Sequence, residues 1–99
     1  MNKILTPYQA TKIMNAHRDL LGLKRVNSPM IYIQAGKGKF PVSVNADGRK
    51  EITDVDAFIA WVVEHNTRQV NRKSNTQDTE YVQAEVLAIE SSGRIYTEA

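Results

Sequence analysis

The stretch Ser28-Pro29-Met30-Ile31-Tyr32-Ile33-Gln34-Ala35-Gly36 decides how the rest of the chain is assembled. A capping hydroxyl followed by proline opens a helix, because proline lacks the N–H that a first-turn residue would leave unsatisfied, and Gly36 supplies the stop. Two isoleucines and a tyrosine in six residues equally suit the pleated backbone of a strand. As a helix, the segment is the short second member of a helical pair. As a strand, it turns the chain into a small sheet with two helices. The capping signals favour the helix, and Gly36-Lys37-Gly38-Lys39 behind it reads as a flexible basic turn.

Towards the N-terminus, Thr6 and Gln9 have the spacing of a capping box, with Pro7 at the first helical position. Ala10, Ile13, Met14, His17, Leu20 and Leu21 then follow the three-and-four spacing of one buried face, and Gly22 ends the run. The spacing predicts a helix over residues 6–21, joined to the second segment through residues 23–27.

Towards the C-terminus the period changes from helical to alternating. Over residues 40–52, Val42 and Val44 alternate before Ala46-Asp47-Gly48. A three-residue loop with Gly48 left-handed places Val42 opposite Ile52 and Val44 opposite Lys50. Thr53 then opens a further helix with Asp54 and Asp56 in its first turn, where carboxylates meet free amide protons. Val55, Phe58, Ile59, Val62 and Val63 form its apolar stripe, with Trp61 at the margin, to about His65 or one turn beyond. Residues 66–79 contain only Val70 as a large apolar residue and read as a fraying helix end or a polar linker, the linker taken over 67–79. Residues 81–89 are apolar again, as an amphipathic helix or as one arm of a hairpin turning at Ser91-Ser92-Gly93.

The totals bound the classes available. A chain of 99 residues, 41% hydrophobic and 24% charged, supports one core and excludes wholesale disorder. It has no cysteine, hence no disulfide and no thiolate metal site. No apolar run of signal-peptide or membrane-spanning length is present, the longest being residues 57–63, so a cytoplasmic protein without membrane contact is expected. The net charge of +2 conceals a gradient. Residues 1–73 carry 12 basic and 6 acidic groups, whereas residues 74–99 carry 1 basic and 5 acidic groups. A basic front of this kind fits a polyanionic partner.

Catalytic patterns fail on inspection. Gly36-Lys37-Gly38-Lys39 lacks the four-residue spacing and following Ser or Thr of a phosphate loop, and the third glycine of a dinucleotide fingerprint. His17 and His65 lie on different helices with no ligand set around them, and Asp54 and Asp56 are explained as capping groups. The expectation is no catalytic residue, no metal and no cofactor.

The order helix, short helix, basic turn, hairpin, helix is that of a winged helix-turn-helix module. On that plan the chain resembles the excisionase-like and MerR-type winged-helix DNA-binding proteins, particularly small phage-encoded members. The resemblance is carried by Leu5-Thr6-Pro7-Tyr8-Gln9-Ala10-Thr11-Lys12, Ser28-Pro29-Met30-Ile31-Tyr32 and Thr53-Asp54-Val55-Asp56-Ala57-Phe58-Ile59-Ala60-Trp61, and covers about residues 4–66. It departs from the pattern in its long first helix and the extra connection over 23–27. It implies an α+β fold: a winged-helix domain over 1–66 with a short β-hairpin wing, a polar linker over 67–79 and an amphipathic C-terminal extension over 80–99. It further implies a sequence-specific partner, double-stranded DNA, for an architectural factor or small transcriptional regulator of a phage or mobile element. Ser28, Tyr32 and Gln34 are then candidates for base edges, and Lys37, Lys39, Arg49 and Lys50 for phosphates. Residues 80–96 are a candidate for self-association. The competing expectation is a small phage protein that inhibits a host protein through residues 81–89 and the acidic tail.

Overall fold

The computed structural model describes residues 4–97, with side chains described over 4–89. Its elements run α1 (Pro7–Leu20), α2 (Ser28–Gly36), β1 (Val42–Val44), β2 (Lys50–Ile52), α3 (Val55–Gln69) and α4 (Thr76–Thr97). This is an α+β arrangement of four helices and a two-stranded antiparallel hairpin.

Each helix boundary has a local cause. At α1 the capping box closes: the Gln9 amide donates to Thr6 Oγ1 at 3.2 Å, and the Thr6 amide donates to Gln9 Oε1 at 3.0 Å. At its far end the Leu23 amide reaches back to the Arg18 carbonyl and the Gly22 amide to Asp19, a paired cap that satisfies two orphan carbonyls. The nine-residue segment at 28–36 is helical, not extended. Its cap lies one residue earlier than the sequence indicates: Asn27 Oδ1 accepts the Met30 amide, so Ser28 and Pro29 occupy the first turn. Likewise Asp54, rather than Thr53, caps α3 by accepting the Ala57 amide at 3.0 Å.

The turn after α2 is bonded, not loose. The amides of Gly38 and Lys39 donate to the carbonyls of Ala35 and Gln34, and this cap requires the left-handed φ of 82° that Gly38 adopts. The connection over 23–27 is also held: the amide side chain of Asn15 both donates to and accepts from the backbone of Val26.

The hairpin has the expected register, Val42 opposite Ile52 and Val44 opposite Lys50, with Gly48 at φ 79°. Asn45 organises the loop, accepting the amides of Asp47 and Arg49 on Oδ1. Beyond the helices, the hairpin is supported by Leu5, whose backbone exchanges two hydrogen bonds with Ile52 at 3.0 and 2.9 Å.

The polar stretch at 67–79 is mostly helical. Its first residues complete α3, residues 70–75 form a short connection, and α4 has begun by Thr76. Asn66 and Thr67 are buried, and α3 ends in a paired cap at Asn71, φ 59°. Asn75 and Asp78 then cap α4 reciprocally, each side chain accepting the other's amide. Residues 81–89 continue the helix through Ser91-Ser92-Gly93, so no second hairpin forms. Val82, Val86 and Ile89 enter the same core as Ile13, Met14, Ile31, Phe58 and Val62. Val82, Val86 and Ile89 of the strip at 81–89 thus face inward, while Leu87 is exposed. For the suggested self-association surface, the side chains beyond 89 lie outside the described residues. Leu20, expected in the core, is exposed. An aromatic wall of Phe40, Phe58 and Trp61, with ring centroids 5.0 to 5.9 Å apart, fastens the strand approach to α3. Among the described residues no helix is long and apolar enough to cross a membrane.

Candidate nucleic-acid interface

The orientation of α2 follows from its core contact. Ile31 is fully buried and Ala35 packs beside it. Residues step about 100° around a helix, which puts Ser28, Tyr32 and Gly36 on one flank and Met30 and Gln34 on the other. Pro29 and Ile33 are left on the outward ridge, both exposed, Ile33 at 59%.

On the Tyr32 flank, the N-terminal ends of α1 and α2 and the hairpin enclose a groove lined by Thr6, Pro7, Tyr8, Ser28, Pro29, Tyr32, Arg49 and Lys50, among others. The N-terminal ends of α1 and α2 border it, with the Gln9 and Met30 amides taken up by the caps Thr6 and Asn27. Lys50 Nζ stands 5.7 Å from the centroid of the Tyr32 ring, within cation–π range. The Tyr32 hydroxyl is buried without a hydrogen-bond partner. Burial first, and the charge of Glu51 second, push its pKa up to about 12. A second hollow continues from Tyr32 and Lys50 to Lys39, Phe40 and Val44.

On the opposite flank, Gln34, Lys37 and Lys39 face Trp61, Glu64, His65 and Arg68 of α3 across a narrow cleft. Arg68 pairs with Glu64 one turn away. His65 lies against Trp61 with ring centroids 5.1 Å apart. Its pKa is lowered from the ordinary value, by burial above all and then by the charges of Arg18, Arg68 and Lys39. Cations therefore crowd this flank as well.

The seven expected contact residues divide by chemistry. Lys37, Lys39, Arg49 and Lys50 are all exposed, and none has an ion-pair partner among the described residues. Arginines elsewhere are neutralised: Arg25 by Asp19 and Arg72 by Asp78. The three polar candidates are turned away from the ridge. Ser28 Oγ lies 2.7 Å from Thr11 Oγ1 and 3.5 Å from the Pro7 carbonyl, which also accepts from Thr11, so its hydroxyl is engaged inward. The Tyr32 hydroxyl is buried against the hairpin side, and Gln34 is half-buried towards α3. Sequence reading missed Tyr8, 62% exposed on the groove, and Lys12 one turn later on α1. Their four-residue spacing on the face opposite the buried stripe is the signal that could have found them.

Behind this surface lies a buried polar chain from Gln69 through Arg18, Asn66 and His17 to Asp78 and Arg72. Its proton positions follow from donor capacity. Arg18 only donates, so Asn66 Oδ1 accepts from it at 3.0 Å, and the Asn66 amide nitrogen must donate to His17 Nδ1. The imidazole proton is therefore on Nε2, donated to Asp78 Oδ1 at 3.2 Å. Asp78 also accepts two bonds from Arg72, 2.8 and 3.0 Å, and the Asn75 amide. Arg72 chiefly, with His17 and Asn75 adding to it, holds the Asp78 carboxyl well below the usual carboxylate range. With His17 fully buried and both ring nitrogens engaged, this histidine–carboxylate contact joins α1, α3 and α4 and presents no reactive atom to a substrate. Among the described residues no group of three or more His, Asp or Glu side chains is placed to hold a metal ion.

Comparison of the chain with protein-family models, curated proteins and solved structures returned no match.

Proposed function

We propose that the chain is a winged helix-turn-helix DNA-binding protein in which α2 enters the major groove of a duplex and the β1–β2 hairpin acts as the wing. The observation that carries this reading is the distribution of free charge around α2. Arg49 and Lys50 stand on one flank, Lys37 and Lys39 at the other and at its end, and all four lack ion-pair partners among the described residues. A helix seated in the major groove has a phosphate backbone on each side, so cations on both flanks are what such docking requires. The reading implies a factor that works by occupying or bending a duplex, in transcriptional control or recombination of a phage or mobile element.

The test is duplex binding by the native chain and by a variant with Lys37, Lys39, Arg49 and Lys50 all changed to Gln. The variant is expected to fold normally, because all four side chains are exposed, and to lose affinity for every duplex alike. Lys73→Gln, a single exposed lysine on the connection between α3 and α4, removes charge from outside α2 and the hairpin and is expected to bind almost as the native chain does. Equal losses per charge in the two variants would show that net charge, rather than this surface, drives binding.

A further inference from the structure

The ridge of α2 that would meet base edges is apolar, and this narrows what it can read. The inference rests on the DNA-binding reading and deepens it. Hydrogen-bond readout in the major groove needs polar atoms projecting from the helix. Here Ser28 is bonded to Thr11, the Tyr32 hydroxyl is buried, and Gln34 is half-buried towards Trp61 and His65. Ile33, flanked on either side by these residues and their adjoining cations, is the large side chain left facing out, with Pro29 one turn before it. Charge complementarity identifies the occupant of this apolar ridge as the floor of a groove walled by phosphates, and an isoleucine there finds only one apolar group on a base pair, the methyl at pyrimidine C5. A protein-binding ridge would not need free cations along both sides.

We infer that Ile33 reads a pyrimidine C5-methyl group, so that the protein prefers duplexes presenting methyls in the major groove. That group comes from thymine or from 5-methylcytosine, and both offer the same contact.

The experiment compares four alternating duplexes about two helical turns long: adenine–thymine, adenine–uracil, guanine–cytosine and guanine–5-methylcytosine. Within each pair the members differ only by the methyl. The native chain is expected to bind the methylated member of each pair about fourfold more tightly per contacted methyl, the ratio that burying one methyl-sized group supports. Ile33→Ala should erase the difference, and Ile33→Val should retain most of it. If only the adenine pair responds, thymine is the source read, and the same methyl contact stands. Equal affinity of the native chain for both members of both pairs overturns the inference and leaves DNA binding intact. A uniform loss on all four duplexes with Ile33→Ala, the preference persisting, also overturns it. No binding to any duplex at low salt overturns the DNA reading itself.

Discussion

Asp78 carries more bonds than any other carboxylate among the described residues: two from Arg72, one from His17 and one from the Asn75 amide. Its folded carboxyl is far more acidic than in the unfolded chain. The folded state therefore binds its proton less readily, and the stabilisation is complete above the ordinary value of about 3.9 and is lost as pH falls below it towards the folded value. Asp78→Asn should cost about 2 kcal/mol at neutral pH, because it leaves the His17 and Arg72 donors facing an uncharged group. It should also flatten the acid side of a plot of urea-unfolding stability against pH. An unchanged acid side would place the titrating group elsewhere. Tyr32 is the opposite case. Its buried hydroxyl has no partner to lose, so Tyr32→Phe should leave stability unchanged or raise it by about 0.5 kcal/mol in the same assay, whereas a loss above about 1 kcal/mol would reveal a bond to that oxygen. His65 offers a test of the proposed interface. Its pKa is lowered by burial and by neighbouring cations, so phosphates arriving beside Lys39 and Arg68 should move its titration upward when duplex is added, as followed by proton NMR.

At the scale of elements, the parts that the sequence discloses are those whose determinants are local. The hairpin register follows from the loop length, the left-handed Gly48 and the alternation of Val42 and Val44. The start of α1 follows from Thr6, Pro7 and Gln9 alone. Residues 66–79 read as a linker or a fraying helix end because polar composition resembles a loop, yet Thr67 donates to the Val63 carbonyl within its own helix and Asn66 is bonded to Arg18 and His17. Nothing near Asp78 in the chain announces a partner 61 residues away. The flank on which each α2 side chain falls is set by how α2 docks on α1 and the hairpin, so the cations were legible as candidates while the inward turn of Ser28 and Gln34 was not. The cap after α2 offers a direct check. A Cβ at Gly38 meets no neighbour within 4 Å, so Gly38→Ala tests backbone strain alone and should cost about 1–2 kcal/mol in thermal or urea unfolding. A smaller cost would mean that the turn is as loose as its glycines make it look.

For the molecule as a whole, α4 changes the meaning of the acidic tail. An appended strip could be removed without harm, but Val82, Val86 and Ile89 are buried in the common core and Asp78 closes the polar chain behind it. Three buried aliphatic side chains contribute about 1.5–3 kcal/mol each, which together rivals the 5–15 kcal/mol stability of an ordinary domain. A fragment ending at Lys73 should accordingly lose cooperative unfolding, and a sharp two-state transition in that fragment would show that α4 is an accessory. Lys37, Lys39, Arg49 and Lys50 leave unpaired positive charge around α2, on a surface flanked by the hairpin on one side and by α3 on the other. The measurement that bears most directly on this account is the salt dependence of duplex affinity for the intact chain. Four phosphate contacts predict a straight line of log affinity against log salt with a slope of about −3.6, falling towards zero when Lys37, Lys39, Arg49 and Lys50 are replaced. No duplex binding at low salt, or a slope that those four replacements leave unchanged, would contradict it.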